Sequence, residues 1–150
     1  MWGLVLPIAM ALSVAQGQAG LTPEARQEIL DYELTMQRAN QLIAALPEMS
    51  KFVLSLSPEA RAKAAKATPA ERLANTANNP TSAAILKRNG LTAAEYMVGV
   101  PALRMAMMIA EGISAPNIVA SPANVAFVKA NLAALKPKWD AANGLGSPPK

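Results

Sequence analysis

Residues 22–46 read TPEARQEILDYELTMQRANQLIAAL. Thr22 followed by Pro23 marks a helix start. The threonine oxygen accepts a hydrogen bond from an amide that the first turn leaves unpaired, and proline fits the first helical position because its missing N–H has no partner there anyway. Beyond that start, Ala25, Ile29, Tyr32, Met36, Ala39, Ile43 and Leu46 alternate steps of four and three. They form one apolar stripe, with Glu24, Glu28, Asp31, Arg38 and Asn40 opposite. That period predicts a single long helix from Pro23 to Leu46 that lays one face on a core.

The same start device recurs at Ser57-Pro58, Thr68-Pro69, Asn79-Pro80 and Ser121-Pro122. Thr68 with Glu71, and Thr92 with Glu95, add the spacing of a capping box. Five such starts, few strand-forming runs and an alanine-rich composition predict an all-α fold, an irregular bundle of five to seven helices. The chain has 150 residues, enough for one domain, with 52% apolar but only 4% aromatic residues.

Further along, residues 47–56 (PEMSKFVLSL) predict a short helix with Met49, Phe52, Val53 and Leu56 inward. Residues 58–67 carry Arg61, Lys63 and Lys66 and no bulky apolar group, so a solvated helix is expected. A helix from Pro69 to Ala77 contributes Leu73, and one from Pro80 to Asn89 contributes Ile85 and Leu86, ended by Gly90. Thr92 then starts a second long helix, Ala93 to Glu111, with Tyr96, Val100, Leu103, Met107 and Ala110 as its stripe. Pro101 within it predicts a kink near Met97 to Val100, and Gly112 closes it. After an irregular connector, a last helix from Pro122 to Leu135 turns Val125, Val128, Leu132 and Leu135 inward. The tail is expected to be loose after Trp139.

The amino terminus reads MWGLVLPIAMALSVAQGQA, apolar and uncharged from Trp2 to Ala15. It is shorter than the roughly 20 apolar residues that span a bilayer. Gly17 and Ala19 stand at the two positions that signal peptidase reads. The expected organisation is therefore a signal peptide at 1–19, a helical domain at 20–143 and a flexible tail at 144–150, in a periplasmic or secreted protein. The leader lacks the usual Lys or Arg at its start, and its competing reading is a first core helix of the mature fold.

The chain has no cysteine and no histidine. This excludes disulfides, thiolate metal sites, cysteine nucleophiles and the commonest general base. Its acidic pairs lie on polar helix faces, and no phosphate-binding loop or zinc spacing occurs, so the expectation is no enzyme and no cofactor. A hydrolase using Ser or Tyr with Lys is the residual catalytic possibility. The net charge of +4 comes without a basic stripe interleaved with aromatics, so no nucleic-acid partner is expected.

The segment AEYMVGVPALRMAMMIAEG (94–112) is the richest in chemistry. Tyr96, Val100, Arg104, Met107 and Met108 are the candidate ligand-binding residues. Arg104 would face an anionic group and the methionines an apolar body. The competing readings are a core helix whose methionines fill gaps, and an Arg104 paired with Glu111 or Glu33. Met105 and Met108 alone make a poor thioether copper site. The leading expectation is a non-enzymatic binding protein for an apolar or amphipathic small molecule or a partner helix, with no stable membrane span in the mature chain. The alternative is an envelope stress or chaperone-like protein acting through an exposed apolar surface.

TSAAILKRNGLTAAEYMVGVPALRMAMM with SPANVAFVKANLAALKPKWDAANG, roughly residues 81–143, resembles small exported helical proteins of Gram-negative bacteria. That family carries no assigned function, so the resemblance implies a periplasmic location and assigns no catalytic or binding residue.

Overall fold

The computed structural model describes residues 21–144. Among them the chain is all-α: α1 (Pro23–Asp31), α2 (Met36–Ser55), α3 (Pro58–Lys66), α4 (Pro69–Asn78), α5 (Pro80–Arg88), α6 (Ala93–Ala110) and α7 (Pro122–Ala142). The leader at 1–19 and the tail past Gly144 lie outside the described residues.

Every cap-and-proline start forms a helix. Thr22, Ser57, Thr68, Asn79 and Ser121 each accept a first-turn amide on their side-chain oxygen. Both capping boxes close reciprocally, Thr68 with Glu71 and Thr92 with Glu95. Asn79 ends α4 and starts α5, so one residue turns the chain between them. The buried Ser82 hydroxyl ties that corner by donating to the Thr76 carbonyl at 2.6 Å. Gly90 and Gly112 end their helices with φ of 72° and 87°. In each case the next two amides fold back to the last carbonyls, Leu91 N to Leu86 O and Ile113 N to Met108 O, both at 2.9 Å.

Three expectations need correction. The first long helix is broken: α1 stops at Asp31, Tyr32 to Leu34 are extended, and Thr35 caps a new helix by accepting the Arg38 amide at 3.2 Å. The break is held from α7. The buried Asn124 side chain accepts the Leu34 N–H at 3.0 Å and donates to the Tyr32 carbonyl at 2.6 Å. A tertiary contact thus supplies what the helix ladder would have supplied. Second, there is no separate helix at 47–56, because α2 passes through Pro47 to Ser55. An interior proline costs about 3 kcal/mol; burial of Leu46 and Met49 on either side offsets it. Third, α7 continues through Pro137 to Ala142, and Trp139 is a core residue, 8% exposed, rather than the start of a loose tail. In addition, Leu73, expected inward, stands on the surface.

The core gathers Leu42, Ile43, Leu46 and Met49 of α2, Ile85 and Leu86 of α5, Leu103, Ala106 and Met107 of α6, and Val128, Leu135 and Trp139 of α7. By length and composition α6 is long and apolar enough to cross a membrane; in this fold it is the central helix, touching α1, α2, α4, α5 and α7. It continues across Pro101 without a break. Helix α3 buries none of its residues, as its composition predicts.

Gly99 is where α6 comes closest to its neighbours. A Cβ built there would lie 2.8 Å from the Tyr32 hydroxyl oxygen and 2.9 Å from both Leu42 methyl carbons. Leu42 is fully buried and has nowhere to move. Gly99→Val is therefore expected to destabilise the fold by roughly 3 kcal/mol, overpacking outweighing the helix propensity gained on removing glycine. Urea unfolding checks this.

Candidate functional site

The helical period of α6 places Tyr96, Val100, Arg104 and Met108 four residues apart along one line, and all four are half-buried. Met107 does not belong to that line. It is 1% exposed and sits within the core, where it fills space as core methionines do. The structure thus brings four of the five candidate residues together and assigns the fifth to packing.

Trp139 of α7 faces this line. The Arg104 guanidinium lies over its ring, 5.9 Å from the centroid, an arrangement that favours a cation on the aromatic face. Burial lowers the Arg104 pKa from its ordinary value, and the nearby Tyr96 opposes that shift. Tyr96 is pushed up to about 12, by burial first, with Arg104 pulling the other way. Tyr32 is also raised by burial. Glu111, one of the carboxylates expected near Arg104, is held by Lys136, which bridges it at 2.7 Å and Asp140 at 3.0 Å. Those two partners, Glu111 first, raise the Lys136 pKa.

Because both tyrosine phenols are raised, neither should ionise at its ordinary value of 10 while the chain is folded. A raised folded pKa contributes stability that is complete below the unfolded pKa and is lost as pH climbs through the folded one. Ultraviolet titration should therefore show both phenolates forming above the ordinary value, that of Tyr96 only near pH 12 and together with loss of helix. Ionisation of both tyrosines by pH 10 with full helicity would contradict the burial of Tyr96.

Met105, one half of the thioether pair, has its sulfur 3.4 Å from the Val119 N–H, where it accepts a hydrogen bond and fastens the connector after α6. Among the described residues no three His, Cys, Asp or Glu side chains gather as metal ligands would.

The open recess lies elsewhere. A groove of about 680 Å³ runs between the second half of α2 and α5, and opens broadly to solvent. Glu48, Lys51 and Phe52 form one wall; Pro80, Thr81, Ala84, Ile85 and Arg88 form the other. Phe52, Ala84 and Ile85 supply the apolar surface. At the rim the Glu48 carboxylate accepts from Arg88 Nη2 and from Asn89 Nδ2, the latter at 3.0 Å. The Asn89 and Arg88 bonds, with Lys51 nearby, hold Glu48 below its usual range. Arg88 and Asn89 thus both hold one carboxylate. Phe52 and Ile85 are inward as their pattern predicts, Ile85 buried and Phe52 half-buried against the core, while the sequence pattern gives the charged rim no role. The available signal was the spacing, 48/51/52 on one helix and 80/81/84/85/88 on the other, which repeats on a helical period with small Ala84 in the middle.

Comparison of the chain with protein-family models, curated proteins and solved structures returns no match.

Proposed function

We propose that the chain is a non-enzymatic periplasmic or secreted binding protein, and that the groove between α2 and α5 is its binding surface. The supporting observation is the groove itself: half-buried Phe52 and exposed Ala84 over the buried Ile85, beneath a charged rim. A recess of this size falls in the range of about 300–1,000 Å³ used by ligand sites. The line of Tyr96, Val100, Arg104 and Met108 is a weaker candidate, because Trp139 already packs toward it. The leader-like residues at 1–19 support export.

Native mass spectrometry of protein purified from its own host tests this. The expected spectrum shows a chain beginning at Gly20 with a bound mass, and the Ala84→Trp variant, whose indole fills the groove, lacks that mass. A chain that carries nothing, or a bound mass that survives Ala84→Trp, overturns the proposal.

A second reading, a chaperone-like role, draws on Leu54, Leu73 and Ile113, which stand 51%, 36% and 46% exposed. It expects a triple change of these residues to Ser to abolish suppression of aggregation in a denatured client. Under this reading Ala84→Trp has no effect.

A further inference from the structure

Resting on the groove reading, we infer that the occupant is an acidic amphipathic helix of a partner protein. Three features of the groove carry this. First, its walls are two helix faces. The α5 wall from Pro80 to Arg88 runs about 12 Å at the helical rise of 1.5 Å per residue, the length of two turns of a third helix. Grooves between helix ridges are what a helix side-chain row fills, and an apolar stripe at i, i+4 and i+7 meets such a floor. Second, the groove opens broadly to solvent. Small-molecule sites surround most of their ligand's surface; this one covers a single side, as a partner helix requires.

Third, the rim is positive. Arg88 pairs with the Glu48 carboxylate, and Lys51 lines the same groove, so its charged lining is two cations against one carboxylate. A stripe flanked by Glu or Asp complements that rim, while one flanked by Lys meets like charge.

The test uses the exported full chain and two synthetic helical peptides of about four turns. Both carry leucines at i, i+4 and i+7; one is flanked by Glu and the other by Lys. Binding is read by fluorescence anisotropy and by shifts of the Phe52, Ala84 and Ile85 resonances. The acidic peptide is expected to move those resonances and to bind roughly tenfold tighter than the basic one, about 1.4 kcal/mol. Raised salt narrows the gap, Ala84→Trp abolishes binding, and Lys51→Glu, an exposed change that leaves the core untouched, erases the preference. Equal binding of both peptides, or acidic binding that survives Ala84→Trp, overturns the inference.

Laurate serves as a separate probe. If it moves the groove resonances and neither peptide does, the helix inference falls and the groove reading stands. If nothing moves them, both fall. If the chain dimerises through these same resonances, a second copy is the occupant and the inference is wrong.

Discussion

Trp139→Ala is expected to destabilise the protein by about 3–5 kcal/mol, the usual range for removing a buried aromatic side chain from a core. Trp139 is 8% exposed, and it packs in the cluster with Leu42, Leu103 and Leu135 while supporting the Arg104 guanidinium. Its loss opens a cavity and strips the half-buried arginine of its aromatic face at once. Trp139→Phe keeps a ring there and should recover more than half of the loss. Denaturant unfolding followed by circular dichroism measures both. A Trp139→Ala midpoint equal to that of the parent would mean that the end of α7 lies off the core.

Asn124→Ala is expected to cost about 2–4 kcal/mol, although the side chain removed is small. It strands the Leu34 N–H and the Tyr32 carbonyl in the gap between α1 and α2, and a buried polar group left unpaired costs about 1–3 kcal/mol. Asn124→Asp separates the two bonds. The carboxylate still accepts from Leu34 but faces the Tyr32 carbonyl with no proton to offer, whereas the protonated acid can make both bonds. Its folded pKa is therefore raised above the ordinary aspartate value of about 3.9. The stability it contributes is present at acid pH and is lost as pH rises through that folded value. The deficit of Asn124→Asp against the parent should shrink between about pH 7 and pH 4. A deficit that does not depend on pH would show that the Tyr32 bond does not matter.

These two positions also mark where sequence reasoning stopped. Helix starts were legible because a cap is local: Thr68 and Glu71 lie three residues apart and settle the geometry between them. Helix ends at Gly90 and Gly112 were legible for the same reason. The break at Tyr32 was not, because the apolar period runs through it unchanged and its stabilising partner lies about 90 residues away. Trp139 stands among Lys136, Pro137, Lys138 and Asp140, a local composition that reads as a tail. Only packing against α6 makes it core. The prolines at 47 and 137 likewise read as breaks, yet each lies within a long helix, whereas Pro101 is expected inside its helix and lies there.

The candidate site divides along the same line. The period of α6 put Tyr96, Val100, Leu103, Met107 and Ala110 on one stripe, and Tyr96, Val100, Arg104 and Met108 share a helix face because they stand four apart. It could not separate them from Met107, whose neighbours come from other helices. The groove was illegible from the outset. Phe52 and Ile85 are apolar, on helical period and inward as that pattern predicts, so nothing local marks the recess beside exposed Ala84. Which apolar residues stay open depends on how far apart α2 and α5 stand at Ala84.

All of this depends on residues 21–144 closing their own core, so that the groove is apolar surface left over from a finished fold. Amide hydrogen exchange on the chain beginning at Gly20 tests that most directly. The Leu34 amide held by Asn124, and those of Leu42, Leu103, Val128 and Leu135, should exchange together at the slow rate of global unfolding, while α3 exchanges fast. Exchange at these core amides as fast as in α3 would show that the core is incomplete without the leader, and the account would fail.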